Sequence, residues 1–200
     1  MYEERRIEEK DRQSDIEFLT RLNVTLTSDH DYRSNMIKAL KMIGNYCQND
    51  RIQIIKIYPD MTFSILYEWC NRSIPPVKDK IKKHKCFLEK ELENQLNTHN
   101  FIRIENTSLL QCEELRGFLN ACNTQSSLLF PLFTPHIFSF LAFSQCVCRD
   151  TRPEPDIDLL GLFSAIIAAN MEKNSMISRL MQKLSTGRLT SPITPPSQLY

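Results

Sequence analysis

The stretch from Arg51 to Cys70 constrains the fold of this chain more than any other. Its second half carries large apolar side chains at every second position, namely Phe63, Ile65, Tyr67 and Trp69. That period is typical of a β-strand with one face on a core. An isoleucine-rich half precedes it, and a Tyr-Pro-Asp-Met segment at 58–61 separates the two. Because Pro presets φ and Asp bonds its own backbone, this segment predicts a tight turn, and the whole stretch predicts a β-hairpin.

Helical patterns precede the hairpin. Residues 1–27 are rich in charge and contain neither Gly nor Pro, and an apolar stripe develops on one face from Ile16 onward. We therefore expect a long N-terminal helix at 1–27 that can act as a coiled-coil arm. The turn-forming residues 28–31 are typical of an N-cap, and they predict a second helix with Met36 and Leu40 on its buried face.

The elements after the hairpin complete a recognisable order. Pro75 and Pro76 break the chain before a short helix, a short strand at 101–104 and another short helix at 113–122. Two nearly continuous apolar strands follow at 127–134 and 137–146, which is typical of strands covered on both faces. The order predicts an α+β fold, with a central antiparallel sheet of about five to six strands flanked by N- and C-terminal helices.

The last helix, at about 157–185, carries a seam with alternating three- and four-residue steps. The seam consists of Leu160, Phe163, Ile167, Asn170, Asn174, Ile177, Met181 and Leu184. Such a seam predicts pairing with a second copy of the helix, with Asn174 at a position that fixes register. Alternatively, the two asparagines mark where the seam weakens into solvent. The predicted boundaries are an N-terminal helix at 1–27, a domain at 28–175, and the helix end with a disordered, Pro-containing tail at 176–200.

Composition excludes several classes of function. The formal net charge is only +1 and no aromatic residues interleave the lysines at 78–85, so we predict no nucleic-acid partner. With four glycines in all, the chain contains no glycine-rich phosphate loop. It has no apolar run of membrane-spanning length and no secretory signal. Seven irregularly spaced cysteines are typical of a reduced compartment, so we predict a cytoplasmic location.

Three segments resemble GAF domains, the sensing modules of bacterial signalling proteins such as sensor histidine kinases and related regulators. The first is Tyr67-Glu68-Trp69-Cys70 followed by Ile74-Pro75-Pro76. The second is the strand pair Ser127–Leu132 and Ile137–Phe143, and the third is the closing helix after Arg152-Pro153. The resemblance covers roughly residues 16–175. In the second strand pair, Ser139 and Ala142 stand where GAF domains commonly have glycine, which predicts a narrow cavity.

The resemblance implies a GAF/PAS-like sensory domain in signal transduction, for example in a two-component system. It would bind a small molecule, dimerise through its terminal helices, or do both, and it would act on a linked or separate output domain. The chain would then be a fragment of a larger sensor or a stand-alone partner, and the ligand stays unknown. We predict a pocket between the sheet and the short helices of 75–122. Its predicted lining is Tyr67, Trp69, Phe87, Phe101, Arg103 and Phe140. Arg103 would orient an anionic ligand.

Other functions stay open at this point. The resemblance implies two alternatives, an interaction module with no ligand or a cysteine-based reductase using Cys70, Cys86 or Cys112. It also allows a bilin photosensor linked through Cys112, although Glu113 stands where such domains carry a histidine. Metal binding would require the pairs Cys146 with Cys148 and His84 with Cys86. We predict no catalytic residue and no metal site.

Overall fold

The computed structural model describes residues 2–28, 31–81, 83–85, 90–134, 137–147 and 155–185. The helices are α1 (Tyr2–Thr27), α2 (Tyr32–Tyr46), α3 (Lys90–His99), α4 (Glu113–Ala121) and α5 (Ile157–Ser185). The strands are β1 (Arg51–Ile57), β2 (Thr62–Cys70), β3 (His84–Lys85), β4 (Ile102–Ile104), β5 (Ser126–Thr134) and β6 (Ile137–Gln145). Of the described helices, none is long and apolar enough to cross a membrane.

The strands form one antiparallel six-stranded sheet in the order β3-β2-β1-β6-β5-β4. The predicted α+β fold with five to six strands is therefore confirmed. Strands β5 and β6, whose nearly continuous apolar content is typical of interior strands, each pair with a neighbour on both edges, and β6 lies beside β1 at the centre of the sheet. The two-residue strand β3 at one edge was not predicted, because it carries no apolar pattern of its own.

One face of the sheet is covered by α1, α2 and α5. We call this face of the sheet the helix face. The core on this side contains fully buried side chains from all three helices, among them Leu22, Met36 and Phe163. The second half of α1 contributes Phe18, Leu22 and Leu26 to this core. That half of α1 therefore belongs to the domain, and the boundary predicted after residue 27 is wrong. The sequence shows the apolar stripe but not which surface the stripe covers.

A β-bulge in the opening hairpin changes which face the side chains of β2 occupy. Ile54 of β1 pairs with Tyr67, whereas the next residue, Ile55, pairs with Ile65, so Leu66 is the extra residue on β2. As a result, Phe63 and Ile65 pack on one face of the sheet, while Tyr67 and Trp69 pack on the helix face. The prediction that all four side chains share one face is wrong. No glycine marks the bulge in the sequence.

Candidate ligand site

An apolar cavity of about 120 Å³ lies on the face of the sheet opposite α1, α2 and α5. We call this the cavity face. Strands β1, β2, β4, β5 and β6 form its floor, and α3, α4 and the segment before β3 form its walls. Typical lining residues are Ile55, Ile65, Val77, Leu92, Phe118 and Phe140. No charged side chain lines the cavity among the described residues. The cavity lies between the sheet and the short helices of 75–122, where the sequence predicts a pocket.

The cavity is polar at one end. Ser127 of β5 pairs in register with Ser144 of β6, and Ser144 in turn pairs with Arg51 of β1. The two serine hydroxyl oxygens are 3.0 Å apart. Thr124 and Gln53 also line the cavity near this end. Further along the strands the lining is apolar, so the cavity has a polar end and an apolar body.

The guanidinium of Arg51 is fully buried behind the polar end, with 1% of the residue exposed. Its Nη1 donates to the carbonyl oxygen of Cys122 at 2.9 Å, just after α4. Its Nη2 donates to the carbonyl oxygen of Pro75 at 3.0 Å. One side chain from the centre of the sheet therefore holds two wall segments, the end of α4 and the loop after β2.

Glu68 is the counter-ion of Arg51. The Arg51 Nε atom and the Glu68 Oε1 atom are 3.6 Å apart, and 4% of the Glu68 side chain is exposed. The carboxylate also accepts hydrogen bonds from the backbone N–H groups of Val77 and Lys78 and, at 2.8 Å, from Nε2 of Gln53. Because these bonds orient the loop that carries Val77, the ion pair shapes the cavity wall as well as neutralising its own charge.

The structure does not bring the six predicted pocket residues together. Phe140 lines the cavity and is 2% exposed. Tyr67 and Trp69 lie on the helix face, where Tyr67 packs edge-on against Tyr32 and Trp69 packs against Gly44 of α2. Their placement in the pocket is wrong because the bulge at Leu66 reverses the alternation.

The other predicted pocket residues lie away from the cavity or outside the described residues. The Phe101 ring stacks on Phe130, with 5.3 Å between centroids, and belongs to the helix-face core. Arg103 is a third exposed, and its Nη1 lies 3.9 Å from Oε1 of the exposed Glu105. It is therefore not placed to orient an anion inside the cavity. Phe87 lies outside the described residues.

The residues that form the polar end were not predicted. They are spread over four strands and one loop: Arg51 and Gln53 in β1, Glu68 in β2, Thr124 before β5, and the serine pair in β5 and β6. Their only local signal is a charged or polar residue within an otherwise apolar strand, such as Arg51 and Gln53 in β1. That pattern indicates that one face of β1 meets polar groups, but it does not indicate which elements supply them.

The predicted dimer seam divides into a buried and an exposed part. Leu160, Phe163 and Ile167 are 4%, 0% and 0% exposed and pack in the domain's own core, so their assignment to a dimer interface is wrong. Asn170 donates from Nδ2 to the carbonyl oxygen of Leu26 at 3.1 Å, which joins α5 to α1. Asn174 is half-buried. The three remaining seam residues, Ile177, Met181 and Leu184, are 45%, 64% and 61% exposed.

Three of the described cysteines have surroundings that disfavour the thiolate form. Burial raises the pKa of the thiols of Cys70 and Cys122, and it raises the pKa of Cys146 to about 11. Such thiols are protonated at neutral pH, whereas a reductase nucleophile must be a thiolate. The Sγ atom of Cys112 caps α4 by accepting from the N–H of Leu115 at 3.3 Å. Cys86 lies outside the described residues.

Metal ligation finds no support among the described residues, where no group of three or more His, Cys, Asp or Glu side chains is placed to hold an ion. Of the predicted pairs, Cys86 and Cys148 lie outside the described part of the chain. The His84 ring packs near those of Phe63 and Phe118, with centroid separations of 5.8 and 4.9 Å.

The six-stranded antiparallel sheet, with helices on both faces and a cavity on one, defines an α+β fold of the GAF/PAS type. Comparison with solved structures narrows this to the GAF fold. A phycocyanobilin-bound GAF domain from a cyanobacterial phytochrome superposes with a TM-score of 0.61 at 13% identity, covering 81% of this chain and 96% of that chain. The blue-light-absorbing form of the Thermosynechococcus elongatus PixJ GAF domain superposes with a TM-score of 0.61 at 15% identity, covering 77% and 93%.

A third solved structure, the phycoerythrobilin-bound GAF domain from a cyanobacterial phytochrome, superposes with a TM-score of 0.62 at 13% identity, covering 82% of this chain and 97% of that chain. No protein-family model and no curated protein matches the sequence. At these identities the similarity establishes the fold alone. What the site binds has to be argued from its own residues.

Proposed function

We propose that this chain is a sensory GAF domain of a bacterial signalling protein, and that it binds a small, mostly apolar molecule in the cavity. The observation that carries the proposal is the cavity itself, which is lined by apolar side chains between the sheet and the short helices. A concave apolar site with a few convergent polar groups is the usual form of a small-molecule site in proteins.

A bilin fits this cavity poorly. Two of the structural neighbours hold phycocyanobilin or phycoerythrobilin. Sites for drug-sized ligands have volumes of about 300–1,000 Å³, and a linear tetrapyrrole is at least of that size. The cavity here measures about 120 Å³, and Ala142 lines it where GAF domains commonly have glycine. We therefore favour a much smaller ligand over a bilin.

Strand β5 offers a physical route from the cavity to α5. Leu129 lines the cavity, and the next residue, Phe130, points to the helix face, where it belongs to the core that includes α5. Because side chains alternate along a strand, a ligand that displaces Leu129 also moves the backbone that carries Phe130. Ligand binding would then bias the position of α5, which is the element expected to carry the signal.

The ligand proposal is tested by native mass spectrometry of freshly purified protein, together with thermal unfolding in the presence of small apolar compounds. We expect a retained small-molecule mass, or a rise in melting temperature, because a ligand that binds only the native state stabilises it by about 2.7 kcal/mol at 100 times its Kd.

A cavity-filling variant provides the control for this test. Ala142 is 2% exposed and lines the cavity, so Ala142→Leu fills part of the space. We expect this variant to fold and to lose both the retained mass and the thermal shift. If the wild-type protein shows neither signal with any compound tested, or if Ala142→Leu keeps both signals, the ligand proposal is wrong.

A second copy of the chain is the partner that we propose for the C-terminal half of α5. Five apolar side chains in its last turns are 45–64% exposed, namely Met176, Ile177, Leu180, Met181 and Leu184. They recur at the spacing of a helix stripe, and an identical stripe on a second copy would cover them by helix pairing. This observation also favours the alternative that the domain acts only as an interaction module.

Light scattering at tens of micromolar tests the dimer. We expect the wild-type chain to have the mass of a dimer, and Ile177→Glu to have that of a monomer, because a carboxylate in an apolar helix interface is left without a partner. Ser178→Glu places the same charge on the adjacent, exposed position and should stay dimeric. A monomeric wild-type protein would contradict the dimer without bearing on the ligand.

A further inference from the structure

The side chains on the cavity face of the sheet change in polarity along the strands. We call a set of side chains that are paired across neighbouring strands a rung. The rung at the end of this face consists of Arg51, Ser144 and Ser127 on neighbouring strands. The next rung on the same face consists of Gln53, Ala142 and Leu129. The one after it holds Ile55 and Phe140. A ligand in the cavity would therefore meet hydrogen-bonding groups at one end only.

Two of the side chains that line the cavity at its polar end, those of Gln53 and Thr124, keep unused hydrogen-bonding capacity. The Gln53 side chain is 7% exposed and donates from Nε2 to Glu68, while its Oε1 accepts no hydrogen bond from the described residues. The Thr124 hydroxyl is 5% exposed; its oxygen accepts from Nη1 of Arg51 at 3.4 Å, and its proton has no acceptor among the described residues. The polar end thus offers one acceptor and one donor to an occupant.

The serine pair adds an adaptable group. The Ser127 hydroxyl lies 3.4 Å from the carbonyl oxygen of Phe143 and 3.0 Å from the Ser144 hydroxyl. If Ser127 donates to Ser144, the Ser144 proton is available to an occupant; if Ser127 donates to Phe143, Ser144 donates to Ser127 and keeps an acceptor. A hydroxyl group on a ligand, which both donates and accepts, can use either arrangement.

Charge is excluded from the same end. Arg51, the cation behind this end, has its charge neutralised by Glu68, and both of its Nη atoms bond to backbone carbonyls. The lining residues described for the cavity carry no charge. A carboxylate, phosphate or ammonium group in the cavity would lose its hydration without gaining a counter-ion, which costs several kcal/mol in practice.

We propose that the cavity selects an uncharged molecule of about the size of phenol, with a compact apolar body and a single hydroxyl group held at the polar end by Gln53, Thr124 and Ser144. The size follows from the cavity volume of about 120 Å³; a protein cavity of about 150 Å³ holds benzene. The inference rests on the proposed ligand-binding function and names the class of ligand.

Phenol and toluene test the inference, because they share a shape and differ by a hydroxyl against a methyl. A purely apolar cavity prefers toluene, since it leaves no hydroxyl unpaired. We expect the wild-type protein, titrated by NMR or calorimetry, to bind phenol more tightly than toluene. Benzoate should not bind, because it brings a charge. Loss of one hydrogen bond should reduce the phenol preference about fivefold in both Thr124→Val and Ser144→Ala.

The matched control is Ser139→Ala. Ser139 is fully buried and its hydroxyl has no hydrogen-bond partner among the described residues, yet it does not line the cavity. We expect this variant to leave the phenol preference unchanged. Circular dichroism verifies that each variant is folded. If Thr124→Val destabilises the protein by removing its contact with Arg51, the result for Ser144→Ala alone decides the test.

The outcomes separate the inference from the proposed function. Tighter binding of toluene, with no effect of either cavity variant, would overturn the hydroxyl preference and leave a ligand-binding domain. Binding of benzoate would overturn the exclusion of charge. If neither phenol nor toluene binds, the phenol-sized ligand class is wrong, and retention of another ligand in native mass spectrometry then decides the proposed function on its own.

Discussion

Replacing Arg51 by methionine is expected to lower the free energy of unfolding by about 3–5 kcal/mol, the usual cost of removing one partner of a buried ion pair. The substitution leaves the Glu68 carboxylate, which is 4% exposed, without its cation. It also removes the donors to the carbonyl oxygens of Cys122 and Pro75. Urea unfolding followed by the fluorescence of Trp69, the single tryptophan, measures the loss.

The double variant Arg51→Met/Glu68→Met distinguishes the ion pair from a packing effect. If the charge left unpaired is the main cost, the double variant is more stable than the sum of the single losses predicts. Arg103→Met is the matched control, because Arg103 and its neighbour Glu105 are 33% and 78% exposed. Such an exposed pair contributes about 0–1 kcal/mol. A loss of only about 0–1 kcal/mol for Arg51→Met, as for the exposed pair, would show that the buried pair does not hold the cavity walls.

The fold could be predicted because its signals are local. Alternation in the Arg51–Cys70 hairpin, the turn residues and the apolar strands of 127–146 each specify an element within a few residues. Their order then leaves few arrangements of layers. The bulge at Leu66 was not predicted from the sequence. A bulge places two residues of one strand opposite a single residue of its partner, so it depends on how the two strands pair and not on the sequence of either strand alone.

The site could be predicted in location but not in composition. Short helices beside a sheet place a pocket between them, whereas the identity of its lining depends on which face each strand presents. For Tyr67 and Trp69 that face is decided by the bulge. The seam of α5 shows the same limit: Phe163 and Ile177 follow one spacing, yet the first is fully buried in its own domain and the second is 45% exposed. A periodic apolar stripe predicts that one face of a helix is buried, but it does not predict which surface buries it.

Replacing Gly44 by alanine is expected to destabilise the domain by about 2 kcal/mol, although alanine is the better helix former. Gly44 lies in the last turn of α2, and the six-membered ring of Trp69 packs against it. A Cβ added at Gly44 would lie 2.8 Å from Cη2 of that ring and nearer still to Cε3 and Cζ3. The ring must therefore move away, and it is held by its place in β2 and the helix-face core.

The same substitution at Gly117 provides the opposite expectation. Gly117 lies in α4, and a Cβ there would meet nothing within 4 Å, so Gly117→Ala should stabilise the domain by about 0.5–1 kcal/mol through helix propensity alone. Thermal unfolding followed by circular dichroism compares the two. Combining Gly44→Ala with Trp69→Phe should recover part of the loss, because a phenyl ring is shorter than an indole. If Gly44→Ala stabilises the domain as Gly117→Ala does, then Trp69 does not pack on α2 as described, and the reversal of faces at Leu66 is contradicted with it.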